Sequence, residues 1–229
     1  MKWITGVLLA VAALLAGLLL FRTSAPADLG GEALDDPKVL PALKLVSDRG
    51  EPTTLPSADG RVRLVFYGFV RCPDVCPATL TSLKTTYAAL PDDLKRRVWV
   101  QFITVDPEYD RPNVVRAYLD RFDPAFTGLT GDPETIDEAA RQMFVGNVKP
   151  QAAPATDHGA HAAAPSGETA PEAAEAPAEG AAQVASRLHG DQVSILDGQG
   201  RFVRVYGNTA VIDGTLQRDI PQLVRQYAN

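Results

Sequence analysis

The stretch RLVFYGFVRCPDVCP, residues 63–77, governs how the rest of the chain is read. Between Arg63 and Val70 the run is apolar, β-branched and aromatic, and it is short. A bounded run without polar alternation predicts a strand buried on both faces. Cys72 and Cys76 follow at once; they are the chain's two cysteines, and each precedes a proline. Beyond them Leu80, Leu83, Tyr87 and Leu90 recur at helical spacing, and Pro77 suits a first helical turn. Both cysteines are therefore expected where a central strand hands over to a helix. Three residues separate them. A thioredoxin-type redox pair has two, and a zinc site usually needs two further ligands.

Working outward, residues 41–55 predict a hairpin turned at Asp48-Arg49-Gly50. Residues 98–105 form a second buried strand by the same pattern. Helices are expected over 112–122 and 133–144, the latter capped by Asp132. Gln192–Leu196 and Phe202–Tyr206 make a hairpin around residues 197–200, and 214–227 a closing helix. Strand, helix, strand, helix, then hairpin and helix predicts an α/β fold with a mixed sheet flanked by helices.

The chain has 229 residues, 45 % hydrophobic and 22 % charged, enough for one domain with its own core. Its net charge is −6 and no basic run occurs, which argues against nucleic acid as a partner. Trp3 to Phe21 is uncharged over nineteen residues. As a helix it would span roughly 28 Å, about a bilayer core, with Trp3 and Phe21 at interfacial positions. We read residues 1–22 as a transmembrane anchor. A cleaved signal peptide is the rival, with Ala25-Pro26-Ala27 as its cleavage site, but the run exceeds the usual ~7–15 residues. Lys2 on one side and the acidic residues after Arg22 on the other place the domain outside the cytoplasm. In a bacterium that is the periplasmic side of the inner membrane. Residues 23–40 read as a tether and 41–229 as the domain. An insertion at 151–185, rich in Ala, Pro and Glu, interrupts it. That insertion cannot bury enough to offset its ordering entropy, so disorder is expected. Its five acidic residues and absence of Lys and Arg supply −5 of the net charge. The acidity therefore belongs to the insertion and not to a binding face.

Outside the cytoplasm thiols tend to be oxidised unless something reduces them or a metal holds them. Copper(I) prefers thiolate and accepts imidazole. The soft donors on offer are Cys72, Cys76, His158, His161, His189 and the Met143 thioether. Residues four apart on a helix face the same way, with Cα atoms about 6 Å apart, within disulfide range. A helix start also favours a thiolate. The pair can then serve as metal ligands or as a reversible disulfide. A purely structural disulfide across so short a loop would constrain the unfolded chain little. Taken alone, His189 reads as a surface histidine or as a ligand reaching the sheet's edge. His158 and His161 read as a metal clip or as incidental residues of the insertion. Asp74 is either a solvated residue of the first turn or a contributor to docking and metal exchange.

Tyr67-Gly68-Phe69-Val70-Arg71-Cys72-Pro73-Asp74-Val75-Cys76-Pro77 closely resembles the signature of the SCO/SenC proteins, copper chaperones for cytochrome c oxidase assembly. Residues 102–112, FITVDPEYDRP, resemble that family's second block, and Gly128-Leu129-Thr130-Gly131 a third. The resemblance runs from about residue 33 to the C-terminus, apart from the insertion. It implies a thioredoxin-like fold behind an N-terminal membrane helix. It also implies a site for one copper ion made by Cys72, Cys76 and His189. The family's histidine often follows an Asp; here Leu188 precedes His189 and Asp191 follows.

The implied role is a metallochaperone that delivers copper to the binuclear copper site of an oxidase subunit. Its partners would be that copper-bearing subunit, a copper donor protein, a thiol reductant and the membrane. The rival is a thiol–disulfide oxidoreductase that uses Cys72 and Cys76 as a redox pair to reduce the subunit's cysteines. His189 separates the two, because redox exchange does not require it. A peroxidase reading suits a fixed cysteine pair poorly.

Overall fold

A computed structural model describes residues 28–55, 58–146 and 192–228, together with Trp3 and Leu14. Its strands are β1 (Glu32–Lys38), β2 (Leu43–Ser47), β3 (Pro52–Leu55), β4 (Val62–Gly68), β5 (Val98–Thr104), β6 (Thr127–Thr130), β7 (Gln192–Leu196) and β8 (Phe202–Gly207). They form one sheet in the order β1-β8-β7-β4-β5-β6-β2-β3. Strand β4 is buried at every residue. Its β-branched and aromatic residues fit because it has neighbours on both sides and cover on both faces. β5 runs parallel to it, with Val62 opposite Val98 through to Gly68 opposite Thr104. β7 runs antiparallel on its other side. β6 continues the parallel set beside β5, and the remaining pairings are antiparallel. The sheet is therefore mixed, as expected.

The helices are α1 (Val75–Ala88), α2 (Asp92–Lys95), α3 (Pro112–Leu119), α4 (Pro133–Gln142), α5 (Asn208–Ile212) and α6 (Thr215–Tyr227). α1 buries Cys76, Thr79, Leu80, Leu83 and Thr86, and it packs against α5 and α6. α3 lies on β6. α4 is capped as expected, the Thr135 amide donating to Asp132 Oδ1 at 2.9 Å. Successive residues of a strand face opposite sides of the sheet. Gly68 faces α1, whereas the Tyr67 hydroxyl donates to Met143 Sδ at 3.2 Å just beyond α4. α1 and α4 therefore cover opposite faces.

Residues Glu32–Lys38, expected in a tether, instead form edge strand β1, paired antiparallel with β8. The residues EALDDPK carry little strand signal of their own; their order comes from a neighbour far along the chain. The Gly30 amide donates to Asp219 Oδ2 at 2.6 Å, and the Tyr206 hydroxyl donates to the same oxygen at 2.9 Å. This carboxylate clasps the start of the domain to β8 and α6. Strand β6 and helices α2 and α5 are further elements that the pattern did not predict; all are short. The anchor at 1–22, apart from Trp3 and Leu14, and the insertion at 151–185 lie outside the described residues. Among the described residues no helix is long and apolar enough to cross a membrane.

Candidate functional site

β4 and β5 end level with one another, and the Val105 amide donates to the Gly68 carbonyl at 2.9 Å. The loops that follow them, residues 69–74 and 105–111, therefore leave the sheet side by side. The first carries Cys72 and leads into α1; the second is the VDPEYDR segment. The Cys72 amide donates to the Phe69 carbonyl at 3.1 Å, a tight turn before the helix. Helix α1 begins at Val75, so Cys76 lies in its first turn while Cys72 precedes it. The expectation that both cysteines share a helical face is corrected accordingly. They are brought together by a cap-like contact, the Cys76 amide donating to Cys72 Sγ at 3.4 Å. An amide that a helix start leaves without a backbone partner is thus satisfied by a sulfur. That contact and the positive end of the helix both favour negative charge on Cys72.

Gly68 fixes the other sulfur from below. A Cβ there would sit 2.7 Å from Cys76 Sγ and 2.9 Å from the Phe102 ring. Both cysteine side chains are buried, 8 % and 5 % exposed. A site that passes its metal on by ligand exchange suits exposed ligands, and the burial of both sulfurs runs against that expectation. The side-chain hydrogen bond with Cys72, together with burial, pushes the Cys76 thiol far above its ordinary range; a hydrogen bond with the Phe69 backbone opposes this.

The second loop supplies the surrounding polar frame, whose residues the sequence pattern did not single out as functional. Arg71 donates to Asp106 Oδ2 at 2.7 Å and stacks over the half-exposed Tyr109 ring at 4.1 Å. Asp110 is fully buried. Its Oδ2 accepts from the Val70 amide at 3.0 Å and from the Thr104 hydroxyl at 2.6 Å. Thr104 Oγ1 in turn accepts from the Asp106 amide at 3.0 Å. Asp110 Oδ1 has no hydrogen-bond partner among the described residues. Burial raises the Asp110 pKa to about 6, against the pull of the Thr104 and Val70 hydrogen bonds. Burial likewise raises that of Tyr118, whose ring packs on Phe102, with the nearby cysteines adding to the effect.

Of the other sequence candidates, Met143 lies on the opposite face with its sulfur engaged by Tyr67, so it does not join the cysteines. Asp74 is exposed and its side chain makes no cap hydrogen bond. His158, His161 and His189 lie outside the described residues. Among the described residues no group of three His, Cys, Asp or Glu side chains is placed to hold a metal ion. Two adjacent sulfurs suit a soft monovalent ion.

Residues 32–165 match the family model described as SCO1/SenC. An SCO2-like protein of Rickettsia felis is 34 % identical over 102 residues, which cover 44 % of this chain and 49 % of that protein. The chain spans about half the length of the curated relatives it matches. Apo Sco1 of Thermus thermophilus is similar in structure, with a TM-score of 0.63 and 32 % identity over 87 % of this chain and 99 % of that one. ScoI of Bradyrhizobium japonicum, solved with copper bound, gives 0.57 and 26 % identity over 80 % and 97 %. The mixed sheet with flanking helices thus matches the thioredoxin-like arrangement that the resemblance implied.

Proposed function

The chain belongs to the SCO1/SenC family, and from that premise we propose that it is a membrane-anchored copper chaperone for cytochrome c oxidase assembly. Its cargo is one copper ion, held by Cys72, Cys76 and His189 and passed to the binuclear copper site of the oxidase's copper-bearing subunit. The observation that carries this reading is the pairing of two buried cysteine sulfurs at the junction of β4 and α1. The copper-bound B. japonicum relative supports the choice of ion.

The pair has to be reduced before it loads, since a disulfide offers no thiolate to the metal. Loading also displaces the proton that burial and Cys72 hold on Cys76. Affinity therefore rises with pH, because ligand binding and proton release are linked. Delivery proceeds by ligand exchange: incoming thiolates of the acceptor replace Cys72 and Cys76 one at a time, so the ion is never free. A copper donor protein and a thiol reductant complete the cycle. The N-terminal segment holds the domain at the membrane, on the periplasmic side in a bacterium.

The test is transfer from the copper(I)-loaded full chain to the reduced, metal-free copper-bearing subunit of an oxidase, in the presence of a copper(I) chelator. The expected result is a loaded subunit with little copper lost to the chelator, and no transfer from Cys72→Ser. Equal loading of the subunit by Cys72→Ser would contradict the proposal. With the oxidised subunit as acceptor, reduction of its disulfide by a chain that transfers no copper would favour the oxidoreductase reading instead.

A further inference from the structure

Asp110 lies 38 residues from Cys72 in sequence, on the second of the two loops that leave the sheet together. A fully buried carboxylate needs strong compensation, and this one has it at a single oxygen. That oxygen joins two segments: the Val70 amide, two residues ahead of Cys72, and the Thr104 hydroxyl, at the last residue of β5. Thr104 holds the Asp106 amide through the same hydroxyl, and the Asp110 amide donates to the Asp106 carbonyl at 2.8 Å. The result is a small closed frame. β5 holds the second loop, the second loop holds Val70, and Val70 leads into the turn in which Phe69 accepts from Cys72.

We infer that Asp110 is the positioning residue of the cysteine pair: by tying the Val70 amide to the end of β5 it fixes where Cys72 stands relative to Cys76. This rests on the reading that Cys72 and Cys76 are the working residues. Asp110 itself acts through the loop and not as a ligand. No other described side chain accepts from the Val70 amide, so without the carboxylate the backbone ahead of Cys72 keeps only its local turn, and the Arg71 side chain alone still reaches the second loop, at Asp106 and Tyr109. An asparagine keeps a carbonyl oxygen able to accept from both donors, whereas alanine keeps neither.

The experiment measures iodoacetamide alkylation of the two cysteines in the reduced, metal-free full chain, under conditions where every variant remains folded. Asp110→Ala is expected to raise the rate about fivefold, the scale set by one lost buried hydrogen bond. Asp110→Asn is expected to stay within about twofold of the natural chain. Should Asp110→Ala not fold, Thr104→Val removes one arm of the frame and is expected to raise the rate about two- to threefold. Asp219→Ala loosens the clasp at β8 and α6, away from the cysteines, and is expected to leave the rate unchanged. The inference is overturned if the folded Asp110→Ala or Thr104→Val chain alkylates at the natural rate. It is equally overturned if Asp110→Asn reacts as fast as Asp110→Ala, or if Asp219→Ala does. Because no copper is present, the result stands apart from whether the natural chain binds copper.

Discussion

Gly68 leaves no room for a side chain, and the reason is the sulfur above it. A Cβ would come within 2.7 Å of Cys76 Sγ and 2.9 Å of the Phe102 ring. Gly68→Ala therefore has to move the sulfur, the ring or the strand. Overpacking of this kind costs about 1–3 kcal/mol. We expect that loss in urea denaturation, with copper(I) affinity lowered about tenfold or more in a chelator competition. Unchanged affinity would mean that the Cys76 sulfur is not held at the metal. Asp110 gives a prediction in pH. Its carboxyl is raised from an ordinary 3.8 to about 6, burial being the main cause. The folded chain then holds this proton where the unfolded chain has lost it. Its contribution to stability is fully present below about pH 4 and declines as the pH rises through about 6. The stability of Asp110→Asn relative to the natural chain should rise across that window, followed by denaturation at each pH, and level off above it. A difference independent of pH would contradict the assignment. The roles of Gly68 and Asp110 were not legible in the sequence, although both lie in quoted motifs. Each depends on a contact across the sheet's end that spacing along the chain does not show.

The elements divide by where their order comes from. β4, β5 and α1 were legible because their own residues carry the pattern: a continuous apolar run for the strands, leucines at helical spacing for the helix. β1 was not, because its Asp35, Asp36 and Pro37 belong to a poor strand former and its pairing partner β8 lies about 170 residues away. The four residues of β6 are too few for a periodicity to be read. The cysteine motif was legible as a strand-to-helix junction. The detail that only Cys76 is helical was not, since the cap-like contact of its amide with Cys72 Sγ depends on the turn at Phe69. At this scale Asp219 is the informative residue, its carboxylate receiving both the Gly30 amide and the Tyr206 hydroxyl. Asp219→Ala is expected to cost about 2–3 kcal/mol, since it strands hydrogen bonds to a buried charged group. Amide exchange in the β1–β8 ladder should quicken more than in β4. Equal change in both ladders would show that the clasp does not act on β1 in particular.

Over the whole molecule, the cysteine pair stands where the parallel strands β4 and β5 end, with helices covering both faces of the sheet behind it. Open α/β sheets place their sites beyond the carboxyl ends of parallel strands because the loops converge there. Here the two convergent loops bring a thiol pair from one and a polar frame from the other. The chain's net charge takes no part in this, since most of it lies in the insertion between α4 and β7. A chain lacking residues 151–185 is accordingly expected to fold and to bind copper(I) as the full chain does; an unfolded product by circular dichroism would contradict this. His189 carries the account's central claim, because it alone distinguishes a copper site from a redox pair. The direct measurement is copper(I) titration of the reduced full chain against a chelator, for the natural chain and for His189→Ala. The account predicts one copper per chain, held more than about 100-fold less tightly without His189, beyond the range of outer-sphere changes. Equal stoichiometry and affinity in the two chains would contradict it.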